Sequence, residues 1–398
     1  MREPRDTLMG EYTKTEPLFT SVRMGKLELR NRIVMAPLTR MRASNPAHAP
    51  TGLHADYYAQ RASAGLIIGE GTEISPAAYG WADSPGLWST EQVRGWRAVT
   101  DAVHKRDGSM FAQLWHTGAL SHPEFFGGAL PMSASDVNPE QESVTPSGRK
   151  PTVTPRPMTK NEIRATVADF GAAARNAMQA GFDGVQIQAN YLYLIAQFLN
   201  SATNLRRDEY GGSTANRARF LFEVVETVLD HVDPGRVGIR IGPMNISGPF
   251  VANGDTLPGI EYMVEKLNDY GLAHLLVMGA TTDFTGGPLE HLAGDGMFQH
   301  FRQLYQGHLI ANVEMTQERG NRLIEQGWAD SIAFGRPYIA NPDLPERFLA
   351  GAALNEIRWP TVYAPGPEGY TDYPALNGLI SGRDSEDEAL TRNDDVAS

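Results

Sequence analysis

The chain has no cysteine, no cluster of basic residues and no long apolar run, and each absence closes a class of explanation. Without cysteine there is no disulfide framework, thiolate metal site or thiol nucleophile. Acidic residues exceed basic ones across the 398 positions, and the formal net charge of −12 argues against nucleic acid or an anionic membrane surface as partner. No stretch approaches the roughly 18 apolar residues that suggest a spanning helix. Met1 to Glu16 also lacks the apolar core of a signal peptide. The expectation is a cytoplasmic protein acting on a small molecule, as a monomer or homodimer.

Hydrophobic residues make up 41% of the chain, enough for a large buried core. Eight short β-branched or apolar runs lie at Arg32–Pro37, Gly65–Gly71, Met110–Trp115, Gly184–Ala189, Val237–Gly242, His274–Gly279, Leu309–Val313 and Ser331–Arg336. Helical patterns separate them, around Ala55–Ala64, Thr90–Lys105, Thr159–Ala180, Asn216–Val232, Pro258–Tyr270, Met297–Gln306 and Thr316–Gln326. Several carry start signals, such as Thr159 followed three residues later by Glu162. Eight strands alternating with helices predict an α/β fold, an eightfold (β/α) TIM barrel rather than an open doubly wound sheet. Leu18–Leu29 reads as a hairpin that could plug the bottom of the barrel. Residues 121–157, rich in Pro, Ser and Gly, are too long for a simple connection and read as a lid or substrate loop after strand three. The expected organisation is a mobile extension over 1–16, one barrel domain over 17–378 and an acidic mobile tail over 379–398.

In such a barrel the chemistry sits where the strands end. The richest end is Gly184–Tyr193, where Gln188, Tyr191 and Tyr193 offer three uncharged hydrogen-bond donors to one spot. Such a site can grip a carbonyl-like oxygen, and Tyr193 could deliver a proton if another group supplies electrons. Other ends add Thr39, Gly71, Gln113, Trp115, His116, Arg240, Asn312-Val313-Glu314 and Gly335-Arg336. Arg240 is the sharpest, because a charge facing the barrel interior needs a partner. The ends of strands seven and eight are a common phosphate station, and Gly335-Arg336-Pro337 suits backbone N–H donation with a guanidinium clamp. A phosphate there, with Arg240, Gln113 and Thr39 around a flat polar heterocycle, is the arrangement expected for FMN.

From roughly Leu18 to Pro374 the chain resembles the Old Yellow Enzyme family of FMN-dependent ene-reductases. The resemblance rests on Asn31–Arg40, Tyr57–Gly65, Ala112–His116, Asp208–Ser213 with Asn216–Phe220, Ala333–Pro337 and Glu368–Pro374, in order and at family-like spacing. It implies that Pro37, Leu38 and Thr39 pack against and hydrogen-bond the isoalloxazine, while Gly71 and Gln113 meet its pyrimidine edge. It places Arg240 beside the N1/O2 edge, Gly335 and Arg336 on the phosphate, and Trp115, His116 and Tyr363 on the substrate side. On the residues alone His116 reads as structural. The implied reaction carries hydride from NAD(P)H through FMN to an activated alkene, with Tyr193 protonating the α-carbon.

Two departures stand out. Gln188 and Tyr191 occupy positions where the family presents His followed by Asn or His, a pair that polarises the substrate carbonyl. Val313 and Glu314 stand where the family commonly has glycines near the FMN phosphate; valine disfavours positive φ and an inward carboxylate would repel phosphate. The first departure leaves open an FMN-dependent desaturase, aromatase or double-bond isomerase of a specialised metabolite. The second leaves open a non-catalytic barrel that binds a small molecule.

Overall fold

A computed structural model of the chain describes residues 16–190, 192–243, 248–249, 254–280, 284, 287 and 289–376. Tyr191, most of the expected N-terminal extension and the acidic tail lie outside them. Eight parallel strands close into a barrel: β1 (Ile33–Met35), β2 (Leu66–Glu73), β3 (Met110–Trp115), β4 (Gly184–Gln188), β5 (Val237–Ile241), β6 (His274–Met278), β7 (Leu309–Asn312) and β8 (Ser331–Phe334). The TIM barrel expected from the alternation is the fold observed, with each strand within a few residues of its predicted run.

The crossover helices form where capping chemistry meets an apolar stripe. At α2 (Thr90–His104), Ser89 accepts from the Gln92 N–H and the Gln92 side chain answers at Ser89. Its Trp96, Val99, Thr100 and Val103 follow the three-and-four spacing of one helical face and are buried. At α3 (Lys160–Gln179), Thr159 and Glu162 make the predicted capping box, and Ile163, Phe170, Ala173, Ala174 and Ala177 turn toward the barrel. The first helix begins at Gly52, three residues before its expected start. Its cap pairs Thr51 with His54, and histidine is not the usual partner in such a box.

The N-terminal hairpin, Val22–Met24 with Leu27–Leu29, closes the barrel floor. Met24, Leu27 and Leu29 pack in one cluster with Val34, Leu66, Phe111, Leu276 and Ile310, the inward residues of the lower barrel. Its turn requires Gly25: φ is +54°, and a Cβ there would lie 2.2 Å from the Gly235 carbonyl. At the other end, the long segment after β3 is more ordered than a loop reading predicts. It holds an antiparallel pair, Glu142–Thr145 with Gly148–Pro151, docked by a bridge between Trp81 and Val144.

Candidate functional site

Strand alternation builds the site. Phe111, Leu276 and Ile310 face the barrel interior, so Gln113, Trp115, Met278 and Asn312, an even number of residues on, share that side near the strand ends. On β4 and β5 the inward set is Gln186, Gln188 and Arg240, with Gln188 directly opposite Arg240 in the register. A register irregularity between Ile68 and Gly71 on β2 brings Gly71 opposite Gln113. A Cβ at Gly71 would lie 2.5 Å from the Trp115 ring, so glycine leaves room for that indole.

These residues surround a cavity of about 220 Å³. Its wall contains Pro37, Leu38 and Thr39 after β1, Gly71, Gln113 and Trp115, then Gln188, Tyr193, Arg240 and Tyr363. Ten positions singled out in the sequence thus meet at one place. Gln188, Tyr193 and Arg240 also border an adjoining space of about 600 Å³ that runs under the Glu142–Pro151 hairpin, where Arg149, Asn190 and Met278 line it. Tyr193 is the N-cap of a short helix, Leu194–Leu199, and the Leu194 N–H donates to the His116 carbonyl at 3.1 Å. The tyrosine backbone is thereby tied to the end of β3, and its ring stands edge-on to Trp115 with centroids 4.9 Å apart.

His116 is off this wall. The alternation that turns Trp115 inward turns His116 outward, and its Nδ1 accepts from the Gly118 N–H at 3.1 Å. Burial drives its pKa down to about 3, so it is a neutral ring inside the fold. Trp81 was not singled out from the sequence and borders both spaces. The bridge to Val144 and a ring contact with Trp115 hold it there, and neither periodicity nor a motif announces them.

The wall holds polar groups that the protein does not satisfy. Arg240 is half-buried, and among the described residues its guanidinium makes one long hydrogen bond, Nη2 to Asn312 Oδ1 at 3.4 Å. Its Nε, the Trp115 and Trp81 indole nitrogens and one end of the Gln188 carboxamide have no partner among the described residues. Burial lowers the Arg240 pKa to about 10, leaving the group charged at neutral pH. Buried polar atoms in native proteins are nearly always hydrogen-bonded, so this cluster is shaped for a ligand rich in acceptors. A flat, acceptor-edged ring system of the FMN type fits that donor set.

The expected phosphate station is split in character. Gly335 ends β8 and Arg336 is exposed, with no hydrogen bond or ion pair to the described residues. At the end of β7, Val313 has φ 85° and Glu314 φ 53°, the conformation that glycine favours. A β-branched residue there is strained. Arg319 Nη1 holds both carbonyls, at 3.2 Å and 3.1 Å, and its Nε is anchored to Asp295 at 2.7 Å. Together they border a space of about 300 Å³ with Gly279, Ala280 and Gly294.

Comparison with known proteins identifies the family. Residues 17–355 match the model of the NADH:flavin oxidoreductase / NADH oxidase family. The chain is 38% identical over 378 residues to 12-oxophytodienoate reductase 2 of Arabidopsis thaliana, covering 92% of this chain and 98% of that protein. Among solved structures, an old yellow enzyme homologue from Zymomonas mobilis superposes with a TM-score of 0.84 at 40% identity, over 90% of this chain and 99% of its own. Morphinone reductase in complex with tetrahydroNAD gives 0.83 at 40% identity, over 92% and 99%.

Proposed function

The chain belongs to the NADH:flavin oxidoreductase / NADH oxidase family, of the Old Yellow Enzyme type, and we propose that it reduces the conjugated C=C bond of an enone-like substrate with Tyr193 as proton donor. It is an FMN-dependent oxidoreductase of the ene-reductase type, with a nicotinamide nucleotide as reductant. The observation that carries the proposal is the cavity wall, where buried polar atoms of Arg240 and Gln188 are unsatisfied among the described residues beside Tyr193.

Bound FMN would supply hydride transfer at this wall, accepting from NAD(P)H and giving to the alkene β-carbon. Pro37, Leu38, Thr39, Gly71 and Gln113 would hold its ring, and Gly335 and Arg336 its phosphate. Arg240 contributes a fixed positive charge in a site shielded from water, which favours any state in which negative charge builds on the adjoining ring. Gln188 is assigned the substrate oxygen, which it meets as a neutral carboxamide rather than an imidazole. Tyr193 gives its phenolic proton to the α-carbon, and its position at a helix start tied to β3 fixes the approach of that proton. The solid walls of Trp81 and Trp115 keep water from competing as donor.

Two named relatives, 12-oxophytodienoate reductase and morphinone reductase, are reductases, which supports the reductive direction. The test is anaerobic: the purified yellow protein should bleach with NADH or NADPH and recover its colour with 2-cyclohexenone. Bleaching followed by no recovery with any enone would defeat the proposal. The neutral Gln188 keeps a second reading in view, desaturation or double-bond isomerisation of a specialised metabolite. That reading gains if substrate turns over without NAD(P)H or with oxygen uptake, and loses if Gln188→His with Tyr191→Asn leaves the rate of cyclohexenone reduction unchanged.

A further inference from the structure

Three carboxamides and one imidazole stand in single file inside the barrel, leading inward from the cavity wall. Gln188 meets Gln113 at 3.4 Å, Gln113 meets Gln186 at 2.7 Å, and Gln186 meets Nε2 of His274 at 2.8 Å. All four side chains are buried. The file is open at both ends, since one atom of the Gln188 carboxamide and Nδ1 of His274 lack partners among the described residues. The imidazole has its place because β5 carries Gly238 opposite it; a Cβ there would lie 2.1 Å from the ring.

A carboxamide keeps its shape when its oxygen and nitrogen exchange places, so the file can run in either of two directions with the same contacts. In the first, Gln188, Gln113 and Gln186 each donate toward His274, whose Nε2 accepts. The one proton of a neutral imidazole then sits on Nδ1, as a buried N–H with nothing to receive it. In the second, His274 Nε2–H donates to Gln186, Gln186 to Gln113 and Gln113 to Gln188. At the histidine end, what is then unfilled is a ring lone pair. A buried N–H without an acceptor is the rarer and costlier of the two defects. Burial pushes the His274 pKa down to about 3, so at neutral pH the ring has one proton to place.

We propose that His274 sets the direction of this file, so that Gln188 turns its –NH₂ group to the cavity and acts as hydrogen-bond donor to the substrate oxygen. His274 and Gln186 are positioning residues in this scheme; neither borders the cavity. The inference rests on the reading that Gln188 meets a substrate carbonyl, and it explains how a neutral side chain can serve there. Without a fixed direction, Gln188 would offer an acceptor as readily as a donor.

The first test is ring-¹⁵N histidine NMR on the FMN-loaded enzyme at neutral pH, with the His274 signals identified by their loss in His274→Phe. The expected result is a neutral ring protonated at Nε2; protonation at Nδ1, or at both nitrogens, overturns the inference. The second needs no assignment and uses Gln186→Leu, which severs the file with little change in volume. Cyclohexanone and its isostere methylenecyclohexane, which lacks the oxygen, are titrated by perturbation of the flavin spectrum. The wild type should favour the ketone, and Gln186→Leu should narrow that preference by about fivefold, the worth of one ordinary hydrogen bond. An unchanged preference overturns the inference. Equal wild-type affinities would defeat the Gln188 reading beneath it, whereas an Nδ1-protonated ring would defeat the file alone.

Discussion

Two sets of arginines carry guanidinium nitrogens into the interior and are treated in opposite ways. Arg40 donates to the carbonyls of Val362 and Gly369, at 3.1 Å and 2.6 Å, and to the Tyr57 hydroxyl at 3.1 Å. Arg61 donates to three further carbonyls, those of Tyr57, Tyr338 and Ile339. Between them Tyr57 and Tyr370 stack at 3.9 Å, and the Arg61 guanidinium lies 3.7 Å from the Tyr57 ring centroid. Among the described residues Arg240 has one long hydrogen bond and an unpartnered Nε. The first set is a clamp that fastens the segment around Val362, and with it Tyr363, over the cavity. The second, on the proposed reading, is half of an interaction that FMN would complete. The difference in pairing separates the arginines that serve the fold from the one proposed to serve the ligand.

Substitutions on the two sides should therefore separate chemistry from stability. The largest effect is expected at Tyr193→Phe, which should slow reoxidation of the reduced enzyme by cyclohexenone by about 10²–10⁴-fold while leaving reduction by NAD(P)H nearly unchanged. Stopped-flow measurement of the two half-reactions checks this, and equal slowing of both would remove Tyr193 from the role of acid. Next comes Arg40→Met. It strands the Gly369 carbonyl and the Tyr57 hydroxyl, while Arg42 still holds the Val362 carbonyl, and should lower unfolding free energy by about 2–4 kcal/mol in urea titration.

A smaller effect, also on the clamp side, is set by pH. Burial raises the Glu70 pKa to about 7, against hydrogen bonds from the Arg40 N–H and the Tyr58 hydroxyl that act to lower it. The folded-state pKa is above the unfolded one, so this contribution is complete below the unfolded pKa of about 4.3 and is lost as pH rises through about 7. Between pH 5 and pH 8 the wild type should lose on the order of 1–3 kcal/mol relative to Glu70→Gln. A constant difference between the two proteins would contradict the shift. The smallest change is expected at the phosphate station. Replacing Val313 and Glu314 together with glycine removes strain and a negative charge, and should tighten FMN binding by about tenfold in fluorescence titration. An unchanged or weaker affinity would mean that Arg319 already absorbs both costs.

The contrast also separates what was legible in the sequence from what was not. Strand positions, the floor hairpin and the polar strand ends could be read because period-two patterning and barrel topology are local signals. Gln113, Gln188 and Arg240 reach one cavity for that reason. The same alternation should have warned that Trp115 and His116, as neighbours, face opposite ways. The Arg40 clamp could not be read, because its acceptors are backbone carbonyls more than 300 positions away and carry no residue signature. Trp81 and the Gln186–His274 contact were hidden likewise, since each depends on which strands and loops close in space. The helix at Leu194–Leu199 is too short to show a period, yet it fixes Tyr193.

The most direct test compares Arg240→Met with the wild type by thermal unfolding, each with and without saturating FMN. Without FMN the variant should be as stable as the wild type or more so, because an incompletely paired buried charge has been removed. With FMN the wild type should gain stability and the variant should gain far less. A variant that is markedly less stable without FMN, or that gains as much from FMN as the wild type does, would place Arg240 with the structural arginines and contradict the division drawn between the two sets.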